Sequence, residues 1–237
     1  MDLAANLDSV RQRIQAACAR AGRDAAAVTL LAVSKSQPPE SVCALAEAGQ
    51  VLFGENRVQE ARAKIERCPG RLRWHMIGHL QTNKAREAVR LFEMIQSVDS
   101  LHLAEEIDKQ ADKAARTMPV LLEVNVVGEA SKFGYKPETL LAELKAVNAL
   151  PRLEVHGLMT IAPWTPTPER VRPVFRRLRE LRTQCEDLLG APLPHLSMGM
   201  TGDFEVAIEE GATLVRIGTA LFGERTSAAA EPPAGEP

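Results

Sequence analysis

Residues 29–35 have the sequence TLLAVSK, an apolar run that ends in a single lysine. Asp24 precedes the run and two prolines follow it at 38–39, so the pattern predicts a short buried strand with Lys35 where the strand leaves the core. A lysine in that position either carries its charge out to water or is driven toward the neutral amine by burial. A neutral amine is the nucleophile that forms Schiff bases. Both interpretations stay open on this stretch alone.

Strand and helix patterns alternate along the rest of the chain. Residues 2–21 carry apolar side chains at three- and four-residue steps up to Gly22, which predicts an amphipathic helix. Seven further apolar strands, each preceded by a helix, are predicted at residues 51–54, 74–77, 94–98, 120–126, 153–159, 195–198 and 214–217. Eight such units in 237 residues favour a closed (β/α)8 barrel of the TIM type, with a parallel sheet inside its helices, over an open doubly wound sheet.

One barrel domain is predicted over residues 1–225. No helix of useful length is predicted after the eighth strand, so we expect the extra N-terminal helix, within residues 1–22, to help close the outer ring. Residues 226–237 are rich in alanine, proline and glutamate, and this composition predicts a disordered tail.

Composition and charge narrow the class of protein. Charged residues make up 25% of the chain and the formal net charge is −2, which predicts no general attraction to nucleic acid or to an anionic membrane. No apolar run reaches the roughly 18 residues of a membrane span, and the first residues do not resemble a signal peptide. We therefore expect a cytoplasmic protein. Cys18, Cys43, Cys68 and Cys185 are widely spaced, which favours four reduced thiols over a disulfide framework or a zinc site.

Two patterns that point to other functions have simpler explanations. Residues 170–182 hold six arginines, but apolar residues recur among them at helical spacing, so the segment is predicted to be an outer helix with a basic face. Binding of nucleic acid is therefore not expected. His75 and His79 flank Gly78 at a strand end, with no glutamate between them, which disfavours a zinc-peptidase site. His75 is expected to pack in the core, whereas His79 is placed to touch a ligand.

The loops that follow the strands of such a barrel open on one face, and that face holds the active site. Lys35 follows the first strand, Asn56 the second and His79 the third. Lys132 and Tyr135 lie in the loop after the fifth strand. The unusual polar side chains are therefore predicted to meet at one mouth.

Two glycine-containing loops follow the seventh and eighth strands, with the sequences SMGMTGD (197–203) and RIGT (216–219). Barrels often bind phosphate between these loops, where glycines let backbone N–H groups approach the anion. The hydroxyls of Ser197, Thr201 and Thr219 would add donors to the same oxygens, beside Gly218. The alternative is that the glycines only form turns and that a nearby side chain caps a helix.

Arg216 lies inside the last apolar strand, between Val215 and Ile217, where a guanidinium group needs an acceptor. One interpretation is a partner among the glutamates at 205, 209 and 210. The other is a ligand. A ligand with a phosphate for the two loops, an aldehyde for Lys35 and a ring nitrogen for Arg216 is pyridoxal 5′-phosphate.

The sequence resembles the pyridoxal phosphate homeostasis protein family from about residue 29 to residue 225. The segments that carry the resemblance occur in the same order, and they are VSK (33–35), FGEN (53–56) with VQE (58–60), IG (77–78) with LQ (80–81) and NK (83–84), SK (131–132) with Gly134, GLM (157–159), LSMGM (196–200) with Asp203, and VRIGT (215–219). Thr201 stands where the family more often has serine, a change that keeps the hydroxyl.

The resemblance implies a monomeric barrel similar to the N-terminal domain of alanine racemases. It implies that Lys35 forms the Schiff base with pyridoxal 5′-phosphate and that Arg216 faces the pyridine nitrogen. Further cofactor contacts are implied for Asn56, Ser197, Thr201, Gly218 and Thr219. Lys84 and Lys132 are either secondary acceptors of the aldehyde or surface charges.

The residues themselves disfavour catalysis. Arginine keeps its proton, so Arg216 would leave the pyridine nitrogen unprotonated and the ring a weaker electron sink, which disfavours transamination. A racemase of this fold needs a second base, usually a tyrosine from another domain, and Tyr135 is the single tyrosine here.

The leading hypothesis is therefore a protein that holds pyridoxal 5′-phosphate on Lys35 and supplies it to apo-enzymes through transient contacts, without established catalytic activity. An amino-acid racemase is the alternative. A Schiff-base aldolase acting on a sugar phosphate is a third class, but it would have no use for Arg216 at a ring nitrogen.

Overall fold

The computed structural model describes residues 2–129 and 132–223. The tail predicted to be disordered, residues 226–237, lies outside the described residues. Within them, eight parallel strands follow one another around a closed barrel, and the last strand pairs with the first. The predicted (β/α)8 barrel is confirmed.

The strands and helices occupy most of the segments predicted for them. The strands are β1 Thr29–Val33, β2 Leu52–Glu55, β3 Arg73–Met76, β4 Met94–Val98, β5 Met118–Glu123, β6 Leu153–Met159, β7 His195–Ser197 and β8 Leu214–Ile217. The helices are α1 Leu3–Arg20, α2 Pro39–Glu47, α3 Val58–Ile65, α4 Ala85–Leu91, α5 Leu101–Lys113, α6 Pro137–Asn148, α7 Arg172–Leu189, α8 Phe204–Glu209 and α9 Thr219–Phe222.

The N-terminal helix α1 completes the outer ring, as predicted. It packs against α8 and α9, because α9 is only one turn long and leaves the last strand poorly covered. Arg13 and Arg20 form ion pairs with Glu205 and Glu209 of α8. The side-chain amide of Asn6 donates to the carbonyl of Leu221 in α9 at 2.8 Å. The extra helix therefore takes the place of the long helix that would otherwise follow β8.

Strand β5 ends earlier than its sequence indicates. The apolar run continues to residue 126, but the strand stops at Glu123 because the next residues form a turn. Asn125 holds that turn by accepting from the backbone N–H of Gly128 at 2.9 Å and donating to the carbonyl of Glu129 at 2.8 Å. Val124 then bridges to Tyr135, so the loop after β5 folds back toward the mouth of the barrel.

Two apolar layers hold the barrel together. Residues that point outward from the strands join the buried faces of the helices in one large core. Residues that point inward form a smaller cluster inside the barrel, made of Leu31, Leu52, Ile77, Met94, Leu121, Met159 and Leu214. Because side chains alternate along a strand, Arg216 continues the inward-facing row that begins with Leu214. That alternation directs Arg216 to the inside of the barrel above its apolar layer, whereas Lys35 lies in the turn after β1.

Candidate functional site

A cavity of about 640 Å³ opens at the carboxyl ends of the strands. This volume is within the range of small-molecule binding sites. Six of the seven residues predicted to contact the cofactor line it, and these are Lys35, Asn56, Thr201, Arg216, Gly218 and Thr219. The seventh, Ser197, does not.

Lys35 lies in the turn that follows β1. It is exposed and lines the cavity at the same time. The turn is fixed on both sides of the lysine. The hydroxyl of Ser34 donates to Glu55 Oε1 at 2.6 Å, and the backbone N–H of Ser36, a residue with a φ of 62°, donates to a carboxylate oxygen of Glu60.

A buried lysine, Lys64 on α3, supports this turn from behind the strand. Its side chain is 4% exposed, and Nζ donates to the carbonyl of Ser34 at 2.5 Å, to Glu55 Oε1 at 2.8 Å and to Glu60 Oε1 at 2.6 Å. Burial raises the pKa of Glu55, and the charge of Lys64 opposes that shift. Sequence reasoning missed this cluster. The signal was the spacing of Val58, Ala61 and Lys64, which places the lysine on the buried face of α3.

Arg216 lies inside the barrel and is 4% exposed. Nη1 donates to Ser197 Oγ at 2.6 Å and Nη2 donates to the carbonyl of Thr160 at 2.8 Å. Burial lowers its pKa to about 10, while the carboxyl groups of Glu123 and Asp203 act in the opposite direction. Arg216 therefore stays a cation at neutral pH, beside the cavity and held by neutral oxygens.

The glutamates suggested as partners of Arg216 lie elsewhere. Glu205, Glu209 and Glu210 pair with arginines on the outer helices α1 and α7. They are near Arg216 in the sequence, but they belong to α8 and its C-terminal end, outside the barrel wall. The interpretation that gave Arg216 a glutamate from this group is wrong.

Ser197 has a different role from the one predicted. Its side chain is fully buried, and its hydroxyl accepts from Arg216 and donates to Gln96 Oε1 at 2.6 Å. The amide of Gln96 lies 2.8 Å from Nδ1 of His75, whose pKa burial lowers to about 4. A neutral imidazole can accept at Nδ1. Each residue in the series Arg216, Ser197, Gln96 and His75 therefore donates a hydrogen bond to the next one. The Ser197 hydroxyl orients the guanidinium group, and Ser197 does not line the cavity.

The loops after β7 and β8 are connected at the cavity wall. Thr201 Oγ1 accepts from the backbone N–H of Ala220 at 3.3 Å, and Asp203 Oδ1 accepts from the N–H of Met200 at 2.6 Å. Gly199 has a φ of 92°, and a Cβ there would lie 2.6 Å from Cβ of Ala207. Only glycine therefore lets the first loop pass so close to α8.

The sequence did not predict the two acidic groups near the cavity, Glu123 and Asp99. Glu123, the last residue of β5, lines the cavity, and burial together with the charge of Asp99 raises its pKa to about 7. Asp99 Oδ2 lies 3.0 Å from Nδ1 of His79, and the His79 ring stacks on Phe133 with 3.6 Å between centroids. His79 lines the cavity, as its position after β3 predicted.

Exposed apolar side chains surround the mouth of the cavity. Phe133, Ile161 and Trp164 are 56%, 41% and 87% exposed, and all three line the opening. Lys132 forms an ion pair with Glu129 at 2.8 Å and lines a smaller cavity beside it. Tyr135 is buried and is not part of the lining of the main cavity.

Comparison with known proteins agrees with this architecture. The family described as the N-terminal domain of alanine racemase matches residues 5–226. A pyridoxal phosphate homeostasis protein from Aquifex aeolicus is 50% identical over 226 residues, covering 95% of this chain and 99% of that protein. The chain belongs to the pyridoxal phosphate homeostasis protein family. The resemblance found in the sequence motifs is thereby confirmed.

Two solved structures have a fold similar to that of this chain. PipY of Synechococcus elongatus, solved with pyridoxal phosphate bound, is 38% identical with a TM-score of 0.82, covering 93% of this chain and all of PipY. Alanine racemase from Bartonella henselae is 16% identical with a TM-score of 0.74, and the match covers 94% of this chain and 58% of the racemase. The homeostasis family and the racemase therefore share the barrel.

Within residues 2–129 and 132–223, no helix combines the length and the apolar character that crossing a membrane requires.

Proposed function

We propose that this protein binds pyridoxal 5′-phosphate as a Schiff base on Lys35 and supplies it to apo-enzymes in the cytoplasm, as part of pyridoxal phosphate homeostasis. The observation that carries the proposal is the meeting of Lys35, Arg216 and two glycine-containing loops around one cavity. The binding of pyridoxal phosphate by the relative PipY supports it.

The groups around the cavity fit this cofactor. When bound, pyridoxal phosphate supplies an aldehyde that a primary amine captures with loss of water. Lys35 provides the amine at the mouth. Thr201, Gly218 and Thr219 are the groups proposed to hold the phosphate, through hydroxyl and backbone N–H donors. Asn56 lines the wall on the β2 side.

Arg216 is proposed to face the pyridine nitrogen. A guanidinium group that stays protonated donates a hydrogen bond to that nitrogen and leaves it without a proton. The cofactor is then a poor acceptor of electrons, which suits a protein that holds it rather than one that uses it. This is the basis for proposing a carrier, acting as a monomer, without established catalytic activity.

The first experiment is a visible absorption spectrum of the purified protein with pyridoxal phosphate. Borohydride reduction and peptide mapping then identify the modified lysine. We expect a yellow protein whose colour is lost in Lys35→Ala and kept in Lys132→Ala, with the pyridoxyl mass on the peptide that contains Lys35. A colourless wild-type protein that also fails to bind added cofactor would contradict the proposal.

Supply to apo-enzymes needs its own measurement. The loaded protein is mixed with an apo-enzyme in the presence of a phosphatase that destroys free pyridoxal phosphate, and the return of enzyme activity is followed. Direct supply predicts reactivation that persists under conditions where an equal amount of free cofactor fails. If the phosphatase abolishes reactivation by the loaded protein as fully as reactivation by free cofactor, direct supply is refuted. The proposal that the protein binds the cofactor would still stand.

An amino-acid racemase is the second candidate. One observation favours it, because the His79–Asp99 pair gives the cavity an imidazole that can move a proton. Tyr135 is buried outside the cavity lining, so it does not provide the second base. A racemase predicts that solutions of L-alanine or L-serine lose optical activity with the wild-type protein and keep it with His79→Gln. No change with either protein would remove this candidate.

A further inference from the structure

Two cysteines that are distant in the sequence meet on the outer surface of the barrel. Cys43 lies on α2 and Cys68 follows α3, and their Sγ atoms are 3.7 Å apart. Both residues are half-buried. The spacing of 25 residues gave no indication of the contact, and the sequence predicted separate reduced thiols. Two adjacent thiols have a chemistry that separate thiols lack.

We propose that Cys43 and Cys68 are a disulfide-forming pair that closes when the protein meets a peroxide, at a site outside the cofactor cavity. A disulfide needs a sulfur–sulfur distance of about 2.05 Å, so the two Sγ atoms have to approach by less than about 2 Å. Half-buried side chains can make such a movement by rotation about χ1. The distance therefore suits a pair that is reduced at rest and closes without rearrangement of the helices.

The surroundings assign a different part to each thiol. Cys43 lines a surface cavity of about 330 Å³ together with Glu40, Glu47 and Arg67, so a small oxidant can reach its sulfur. Cys43 Sγ donates to Cys68 Sγ, and Cys68 Sγ donates to the carbonyl of Pro39 at 3.9 Å. In the reduced protein, burial and the neighbouring Cys43 raise the pKa of the Cys68 thiol to about 12, which disfavours Cys68 as the first sulfur to attack the oxidant. The part of this shift that Cys43 causes ends when the Cys43 thiol has become a sulfenic acid, and Cys68 can then attack. Cys43 is therefore the thiol that meets the oxidant, and Cys68 is the thiol that resolves it.

With hydrogen peroxide as the oxidant, the two steps balance. Cys43 loses its proton and its sulfur attacks a peroxide oxygen, which gives Cys43 sulfenic acid and one water. The Cys68 sulfur then attacks the Cys43 sulfur, and its proton leaves with the departing hydroxide as a second water. The two thiols lose two electrons in total, and the peroxide accepts them.

The new bond would join α2 to the segment after α3. Both elements hold the turn that carries Lys35, because Pro39 begins α2 just after the turn and Glu60 of α3 accepts from Ser36. Closing a loop of this length reduces the freedom of the unfolded chain. We expect the oxidised protein to melt about 5–10 °C higher than the reduced protein.

The test treats the fully reduced full-length chain with a few equivalents of hydrogen peroxide. Thiols are then counted in denaturant, and peptides are mapped without reductant. We expect the count to fall from four to two, the mass to fall by the two hydrogens of the lost thiols, and one linked peptide pair to contain Cys43 and Cys68. Cys18 and Cys185 are internal controls, since both are buried and should stay reduced.

Two variants separate the roles of the thiols. Cys68→Ser should accumulate a Cys43 sulfenic acid that dimedone traps, whereas Cys43→Ser should form neither the adduct nor an intramolecular disulfide. If the wild-type protein still has four free thiols after a peroxide treatment that oxidises dithiothreitol, the proposal is overturned. A linked peptide with any other cysteine, or a disulfide between two chains, would overturn it as well. Because the wild-type measurement stands alone, the result does not depend on the folding of either variant.

Discussion

The hydroxyl of Ser197 accepts a hydrogen bond from Nη1 of Arg216 at 2.6 Å, although both side chains are buried inside the barrel. The same hydroxyl donates to Gln96, and together with the carbonyl of Thr160 it provides the neutral oxygens that bind the buried cation. This contact joins β7 to β8 and sets the direction in which the guanidinium group lies at the cavity.

Ser197→Ala should lower the free energy of unfolding by about 1–3 kcal/mol, because it leaves donors on Arg216 and an acceptor on Gln96 without their partner. Urea denaturation measures the change. Ser97→Ala is the matched control, because Ser97 Oγ is buried on β4 with no hydrogen-bond partner within the described part of the chain. We expect that variant to be neutral or slightly stabilising. Equal losses in the two variants would contradict the role given to Ser197.

Removal of Lys64 should destabilise the protein more strongly. Lys64→Met leaves Glu55, which is fully buried, without the cation that pairs with it, and breaking a buried pair costs about 3–5 kcal/mol. The double variant Lys64→Met with Glu55→Leu should recover much of the loss, because it removes both charges. Lys109→Met, which breaks an exposed pair with Glu106, should change stability little. A Lys64 variant as stable as the Lys109 variant would show that the buried cluster contributes nothing.

The raised pKa of Glu123 predicts a dependence of stability on pH. Its pKa is about 7 in the folded protein and near 4.5 in the unfolded chain, so between these values the folded state holds the extra proton. Stability contributed by this group is then present below about pH 4.5 and falls as the pH rises toward 7. The loss amounts to about 3 kcal/mol at most, from about 1.4 kcal/mol per pH unit.

Glu123→Gln isolates that contribution. The variant should gain stability relative to wild type as the pH rises from 5 to 7.5, measured by urea denaturation at each pH. The test uses the difference in free energy of unfolding between the variant and wild type, because His75 is present in both proteins. Its pKa is lowered to about 4, so its contribution to stability rises with pH between about pH 4 and 6.5. A difference that stays constant across the range would contradict a raised Glu123 pKa.

Thr201 provides a test of the phosphate position. Thr201→Val removes the hydroxyl and should weaken binding of pyridoxal 5′-phosphate by about five- to tenfold, the equivalent of one hydrogen bond. Thr201→Ser keeps the hydroxyl and should bind like wild type. Spectroscopic titration gives the affinities. The comparison ligand is pyridoxal, which has no phosphate, and its affinity should be the same in all three proteins. An equal effect of Thr201→Val on both ligands would indicate damage to the loop rather than loss of a phosphate contact.

Local pattern was enough to predict the barrel and much of the cavity. The apolar runs and the helical spacing between them are properties of neighbouring residues, and they placed Lys35 after β1 and Arg216 within β8. Since parallel strands present their carboxyl ends on one face, the order of the elements alone was enough to gather Asn56, Thr201 and Thr219 around the same opening.

The contacts between distant segments could not be predicted in the same way. Ser197 was expected to bind phosphate, because the sequence does not show that its side chain faces Arg216 and Gln96 across the inside of the barrel. The end of β5 was placed too late, because hydrogen bonds from Asn125, and not a change in polarity, stop the strand.

The sequence by itself determined the class of fold, the position of Lys35 after the first strand and of Arg216 within the last, and the membership of a family, since each rests on the order and spacing of residues along the chain. Only the tertiary structure decided that Lys64 neutralises a buried carboxylate, and that Cys43 lies 3.7 Å from Cys68. The physical reason is that hydrogen bonds, ion pairs and thiol contacts act over a few ångströms. Which side chains come that close is set by the packing of helices on the barrel.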